Sequence, residues 1–299
     1  MLELEDLQWP KDCVMDSSQA HPKPPRRGAF VVPSFFTVAN VFCGFLALTE
    51  TFRAGQLFAT DLAAAAAHFD VAAKAIGYAV LFDGLDGRLA RLMGTSSAFG
   101  KEFDSLADTI SFGVAPAFLG LAWGVRAALT APDAALVQHL TAIGWLISFL
   151  FVISAAARLA RFNLQSSVPA TSSERKFFVG LPTPAAAGLV AAIIHIYGGY
   201  PRAEWLWVPF WLLLLLAIGL LMVSTWRYYS FKELDLRRKR KFVVVLVVGM
   251  IFAGIWFYSQ PVLMAIASTY VLSGVYLKLS QALRRSPSET PAPAKEQSA

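Results

Sequence analysis

From Trp205 to Val223 the chain reads WLWVPFWLLLLLAIGLLMV, with no charged and no hydroxyl side chain. A run of this kind offers water no polar face. A helix needs roughly 20 predominantly apolar residues to cross the hydrocarbon core of a bilayer. Eight segments of about that character occur, at 31–52, 67–90, 99–124, 136–161, 183–199, 206–226, 242–259 and 262–279. The seventh and eighth are divided only by a tight YSQP turn at Tyr258–Pro261. Charged residues make up 15% of the chain, where a soluble domain carries about a quarter. The expectation is an all-α polytopic membrane protein of about eight transmembrane helices, held in a lipid bilayer.

Charge placement orients the spans. With the N-terminus in the cytosol, only Arg53, Lys74, Arg126 and Arg202 among the 26 Lys and Arg fall on the outer side. That asymmetry follows the positive-inside rule and predicts cytosolic N- and C-termini. The basic block RYYSFKELDLRRKRK at 227–241 becomes an inner loop, suited to anionic lipid rather than to nucleic acid. Residues 1–28 read as a disordered cytosolic arm, 29–283 as one membrane domain and 284–299 as a disordered tail. The two cysteines, Cys13 and Cys43, form no disulfide framework or metal motif.

Four aspartates break the apolar pattern. Asp83 and Asp86 end the second span, while Asp104 and Asp108 begin the third. Ionisable residues inside a membrane are costly, which makes a functional site the default reading. At about 100° per residue, Asp83, Asp86, Gly87, Ala90 and Arg91 share one face of a helix. Gly100, Asp104, Asp108 and Ser111 share a face of the next, and the short connection makes the two helices antiparallel neighbours. Four converging carboxylates suit a hard divalent cation, Mg²⁺ or Mn²⁺ rather than Zn²⁺, since no histidine or cysteine is nearby. Gly87, Ala90 and Gly100 leave room for a group to approach the backbone, and Arg88 and Arg91 offer charge to phosphate oxygens. Two metals could bridge a diphosphate, and a carboxylate partly free of metal could take a proton from an incoming alcohol. Helix packing is the ordinary role of small residues in spans, and a proton or metal transporter is the alternative for intramembrane acids. Clustering at one membrane face favours an enzyme over a transmembrane path. The DGLDG stretch lacks the alternating ligands of a calcium loop. His68, His139 and His195 read as packing or interfacial hydrogen-bonding residues, and Lys74 as a side chain snorkelling outward.

The run Asp83-Gly-Leu-Asp86-Gly87-Arg-Leu-Ala90-Arg91, eight residues, then Gly100-x-x-x-Asp104-x-x-x-Asp108 resembles the signature of the CDP-alcohol phosphatidyltransferase family. The surrounding runs TVANVFCGFLAL, FDSLADTISFGVAPA, ARLARFN and FVGLPTPAAAG resemble the bacterial branch that uses serine as the acceptor. The resemblance covers roughly residues 30–285, more sparsely in the last two spans. It implies transfer of a phosphatidyl group from CDP-diacylglycerol to L-serine with release of CMP, at the cytosolic face of a bacterial inner membrane, by a homodimer. Carried over by position, Asp83, Asp86 and Asp104 would hold the divalent metals, two ions in all. Asp108 would complete that site and act as general base. Gly87, Ala90, Arg91 and Gly100 would line the CDP pocket. Relatives often open the first span with P-N-x-x-T, whereas here it reads Pro33-Ser34-Phe35-Phe36-Thr37, which leaves Thr37 and Asn40 as the nucleotide contacts.

Acceptor choice needs a cation for the serine carboxylate. Arg158, Arg161 and Asn163 end the fourth span on the cytosolic side, with Lys176 in the following linker. These are the candidates for acceptor or lipid-phosphate binding, against simple interfacial anchoring. Within the same chemistry, glycerol 3-phosphate or inositol phosphate is the competing acceptor.

Overall fold

The computed structural model describes residues 31–93, 98–166, 177–229, 249–250 and 253–284. The arm 1–28, most of the tail, the basic block beyond Tyr229 and Lys176 fall outside the described residues. Helix α1 covers Val31–Leu57 and α2 covers Leu62–Met93. A third span is built in pieces: α3 (Ala98–Asp108), a π-helical segment (Thr109–Val114) and α4 (Ala115–Gly124), closed by a 3₁₀ turn at Arg126–Thr130. Then follow α5 (Ala134–Ser166), β1 (Phe177–Val179), α6 (Thr183–Ile196), α7 (Trp207–Val223), β2 (Arg227–Tyr229) and α8 (Ser259–Arg284).

Five helical stretches are long and apolar enough to cross a bilayer: Phe35–Leu57, Leu62–Leu89, Phe99–Thr130, Ala134–Leu164 and Ser259–Ser280. Together with two shorter apolar helices they make this a multi-pass membrane protein. The fifth and sixth expected spans are shorter as helices than the apolar runs that encode them. α6 has 14 residues and α7 has 17. At 1.5 Å per residue they reach only about 21 and 26 Å, short of a hydrocarbon core of about 30 Å. Extended Pro182 stops α6 at one end, and Gly198 and Gly199, both at positive φ, turn the chain at the other. The irregular backbone beside α6 is satisfied by protein: Gly180 N–H donates to Trp226 O at 2.8 Å and Leu181 N–H to Leu221 O at 3.0 Å. That is the condition under which non-helical chain is tolerated at membrane depth. Of the expected seventh span, 242–259, residues 242–248 and 251–252 lie outside the described residues, and 253–257 is helical.

Helix α2 is the centre of the bundle, packed on α1 and α6, while α5 packs on α7 and α8 on α6. Alanines line the packed faces of α1 and α2: Ala47, Ala54, Ala65, Ala66, Ala72, Ala73 and Ala79 are all buried. Without a hydrophobic force between helices in lipid, small side chains let backbones approach and gain van der Waals contact. The outer flank of α1 exposes Phe35, Phe42, Phe45 and Phe52, the residue types that face acyl chains. A tryptophan pair fills the middle, with Trp211 Nε1 donating to Gly120 O at 2.8 Å and Trp123 Nε1 to Gly199 O at 3.0 Å. β1 and β2 form a two-stranded antiparallel ribbon with Phe178 opposite Tyr228.

The π segment has a local cause. Pro116 brings no N–H to the helical ladder, and just before it Ala115 N–H reaches back to Ile110 O in the wider i→i−5 register. The widened turn begins one residue after Asp108, so it sets the direction of everything downstream of the acidic face.

Candidate active site

One helical turn separates Asp104 from Asp108, and antiparallel α2 brings Asp83 opposite them. Asp83, Asp104 and Asp108 each offer a carboxylate oxygen within 4.8 Å of the others. Three like charges at that distance repel strongly unless a cation or protons intervene. Oδ1 of Asp104 is buried and has no hydrogen-bond partner among the described residues. Three clustered carboxylates, one with a buried oxygen left without a partner among the described residues, are the donor set of a hard divalent ion, so the residues fit Mg²⁺ or Mn²⁺.

Asp86, only 6% exposed, stands apart from this trio. Its Oδ2 accepts a hydrogen bond from Thr37 Oγ1 of α1. The other α1 residue expected at the site, Asn40, donates from Nδ2 to Asp108 Oδ1 at 3.1 Å. Both side chains therefore reach the site by holding aspartates. The Oδ1 of Asn40 is also buried without a partner among the described residues, so the amide keeps one acceptor in reserve. Asn40 is itself fixed by its backbone, whose carbonyl accepts from Ser111 Oγ at 2.9 Å. That contact needs α1 and the π segment nearly touching. A Cβ added at Gly44 would lie 2.5 Å from Ser111 Oγ and 2.9 Å from Ser111 Cα.

Gly87 is exposed, and a Cβ there would meet nothing within 4 Å, so helix packing does not account for it. It leaves open space on the acidic face of α2. Gly100 is half-buried near the start of α3, and Arg88 is exposed. Ala90 and Arg91 continue the α2 helix, but their side chains lie outside the described residues.

The candidates on α5 divide. Arg158 is buried, stacks over the Phe162 ring at 5.4 Å and points Nη1 to Thr183 Oγ1 at 3.5 Å. Its charge interacts with that of Asp108, which places it beside the acidic trio. Arg161 turns the other way. Its Nη1 donates to Val223 O at 3.0 Å, and its Nη2 to Val179 O at 2.8 Å, Ser224 O at 3.2 Å and Met222 O at 3.4 Å. Gly180 lets the guanidinium pass: its φ is +82°, and a Cβ there would sit 2.6 Å from Arg161 Nη2. Asn163 Nδ2 donates to Ser105 Oγ at 2.8 Å, tying α5 to α3. The motifs ARLARFN and FVGLPTP thus interlock through two arginines.

Sequence reasoning passed over two further ionic clusters, each at least partly buried. Glu50 in α1, 6% exposed, pairs with Arg53 at 2.8 Å and with His68 of α2. Asp70 in α2 accepts from Lys74 Nζ at 2.7 Å and lies 2.5 Å from Nδ1 of His195, whose Nε2 is 2.9 Å from Ser259 Oγ. Lys74 is therefore an ion-pair partner as well as a partly exposed amine. The signal was available, since Glu50 and Asp70 are acids inside apolar spans just as the four aspartates are.

The likeness to known proteins covers the same helices. A family model described as CDP-alcohol phosphatidyltransferase matches residues 30–203. The chain is 33% identical over 223 residues to the CDP-diacylglycerol–serine O-phosphatidyltransferase of Helicobacter pylori strain 26695, covering 75% of this chain and 82% of that one. It is 34% identical over 186 residues to the enzyme of that name from Mycobacterium leprae, covering 60% of this chain and 53% of the relative. The Saccharomyces cerevisiae protein of the same name is 36% identical over 164 residues, covering 54% and 52%.

Proposed function

The chain belongs to the CDP-alcohol phosphatidyltransferase family, and from that premise we propose that it transfers the phosphatidyl group of CDP-diacylglycerol to L-serine, giving phosphatidylserine and CMP. The observation that carries the reading is the buried Asp104 Oδ1, without a partner among the described residues, in a trio of carboxylates at the end of apolar helices. Relatives named for this reaction, matched over most of the chain, support serine as the acceptor.

Asp83, Asp86, Asp104 and Asp108 would hold the divalent cations, Mg²⁺ or Mn²⁺, two in number. When bound, such ions neutralise a diphosphate and stabilise the departing phosphate charge. The chain's own residues supply position and proton transfer. Thr37 orients Asp86 and Asn40 orients Asp108, so that α1 fixes the acidic face of both other helices. The open face at Gly87, with Gly100, Ala90 and Arg91, receives the cytidine diphosphate part of the lipid. Arg158 receives the serine carboxylate, while Arg161 and Asn163 hold the walls on which Arg158 stands. Lys176, in the linker after α5, is a further candidate for acceptor or lipid-phosphate binding. The serine hydroxyl attacks the phosphorus that bears diacylglycerol; its proton passes to Asp108, and the bond from phosphorus to the CMP oxygen breaks.

The membrane domain 29–283 would carry the whole activity as a homodimer in a bacterial inner membrane. Its termini and acidic cluster would face the cytosol, the side on which CTP-derived lipid and serine meet. The test is CMP release by detergent-purified protein given CDP-diacylglycerol and, separately, serine, glycerol 3-phosphate or inositol phosphate. Serine alone should support turnover, chelation should abolish it, and Asp108→Asn should bind CDP-lipid but not turn over. Turnover with another alcohol in place of serine would reassign the acceptor.

A further inference from the structure

Among the described residues, two buried side-chain oxygens at the acidic cluster have no hydrogen-bond partner, Asp104 Oδ1 and the amide oxygen of Asn40. A divalent cation answers for the first. The second belongs to a neutral residue that is 0% exposed. An amide oxygen buried without a donor is destabilising, so the bond from Nδ2 to Asp108 does not by itself explain an asparagine here. Thr37, three residues earlier on α1, serves Asp86 with a hydroxyl and brings no second polar atom.

The amide can face only one way. Reversing it would set Oδ1 against the carboxylate of Asp108, acceptor against acceptor. Its nitrogen and oxygen share one carbon and lie about 2.2 Å apart. With Nδ2 at 3.1 Å from Asp108 Oδ1, the unpartnered oxygen lies within roughly 5.3 Å of that carboxylate oxygen. The hydroxyls of Thr37 and Ser111 are committed elsewhere, to Asp86 and to the backbone carbonyl of Asn40. Asp83 and Asp104 are half-buried and Asp108 is 8% exposed, so the trio is open on the side of the first two, with Asn40 at its buried end.

A donor for this oxygen arrives with the acceptor substrate. In the reading above, the serine hydroxyl meets Asp108 and the serine carboxylate meets Arg158, which leaves the ammonium group still to be received. The nitrogen of serine lies about 3–4 Å from its hydroxyl oxygen. Hydrogen bonds of about 2.8 Å at each end therefore let one serine bridge Asp108 and Asn40 Oδ1. We propose that Asn40 is an acceptor-specificity residue: while its Nδ2 holds Asp108, its Oδ1 accepts a hydrogen bond from the ammonium group of the amino-acid acceptor. The proposal rests on the transfer to serine argued above. A neutral amide suits the task, because it receives the ammonium without adding a further charge to a cluster of acids. An alcohol with no donor on the neighbouring carbon leaves the buried oxygen unpaired, and one with a hydroxyl there makes a weaker, uncharged bond.

Two variants and one serine analogue test this at saturating Mn²⁺, with CMP release as the readout. Asn40→Ala removes the whole amide, whereas Asn40→Asp keeps an acceptor oxygen and loses the N–H donor. Both should lower kcat, because Asp108 loses its hydrogen bond in each. The KM for serine should rise about tenfold in Asn40→Ala, corresponding to one hydrogen bond to a charged group, and stay near the wild-type value in Asn40→Asp. The analogue 3-hydroxypropionate, which is serine without its ammonium group, should compete with serine about tenfold more weakly than serine itself binds. Its inhibition constant should be the same in Asn40→Ala as in the wild type, and the KM for CDP-diacylglycerol should not change. An unchanged serine KM in Asn40→Ala overturns the proposal, as does an equal rise in Asn40→Asp. Parallel weakening of 3-hydroxypropionate assigns the amide to structure, and a rise in the KM for the lipid assigns it to the nucleotide; either result overturns the proposal. Should Asn40→Ala not fold, a wild type that binds 3-hydroxypropionate as tightly as serine overturns it alone. Wild-type protein that releases no CMP with serine would overturn the function itself, whereas a functioning wild type beside an indifferent Asn40→Ala variant overturns only the role of Asn40.

Discussion

Asp104 concentrates the chemistry of the site in one side chain. Its Oδ1 is buried without a partner among the described residues, and its carboxylate lies in a trio whose oxygens come within 4.8 Å of one another, an arrangement that is unfavourable until a cation arrives. Asp104→Asn removes one charge from that cluster. In chelator the variant should therefore melt at a higher temperature than the wild type. Adding Mn²⁺ should raise the wild type more than the variant and reverse their order, while turnover of the variant falls by roughly 100-fold or more. Thermal melts of purified protein with and without metal check this, and a variant less stable than wild type in chelator would show that the carboxylates are not in conflict. The four aspartates were legible because acids in lipid demand an explanation. Their partners were not. That Thr37 would hold Asp86, or Asn40 hold Asp108, depends on how α1 lies across two other helices, and no local pattern encodes that. Arg161 illustrates the converse: an arginine at a span end reads as a ligand for anions, yet the extended chain around Gly180 left carbonyls that its fork satisfies.

Between elements, the contact of α1 with the π segment decides whether the site is assembled. Asn40 is aimed by the hydrogen bond from Ser111 to its carbonyl, and Gly44 permits the two backbones to approach that closely. Gly44→Ala forces a methyl into Ser111, against backbone as well as side chain. Overpacking of this kind costs about 1–3 kcal/mol. The displacement should also carry Asn40 away from Asp108, so kcat is expected to fall by about tenfold or more, since small misplacements of catalytic groups are expensive. Ser111→Ala in the same background should restore part of the stability by removing the hydroxyl the methyl strikes. Melting temperature and kcat for the two variants check this, and a Gly44→Ala protein with normal kcat would mean that the contact does not aim Asn40. The π turn itself was not read from the sequence, because a proline shortly after an acidic face signals a break without saying how the ladder adapts. The structure shows that the chain adapts by widening one turn rather than by ending the helix.

At the scale of the bundle, the apolar runs foretold a multi-pass helical membrane protein. They overstated the helical lengths of α6 and α7, because hydrophobicity reports depth in the bilayer and not backbone conformation. The second ionic cluster lies at the other end of the same helices. Asp70 is 13 residues before Asp83 on α2, about 20 Å along the axis. It holds Lys74 on its own helix and His195 of α6, which reaches Ser259 at the start of α8. The helix that carries Asp83 and Asp86 at its acidic end is thus tied to α6 and α8 at its remote end. Asp70→Asn should leave His195, only 4% exposed, with a weaker partner at a cost of about 1–3 kcal/mol. The pair with half-exposed Lys74 adds little, being screened by solvent. The melting temperature should drop while kcat and both KM values at permissive temperature stay within about twofold of wild type, because effects at sites this far apart are normally independent. Should kcat instead fall with stability, the two ends of α2 would be coupled, and the bundle would have to be treated as one cooperative support for the aspartates rather than as a site and a separate anchor.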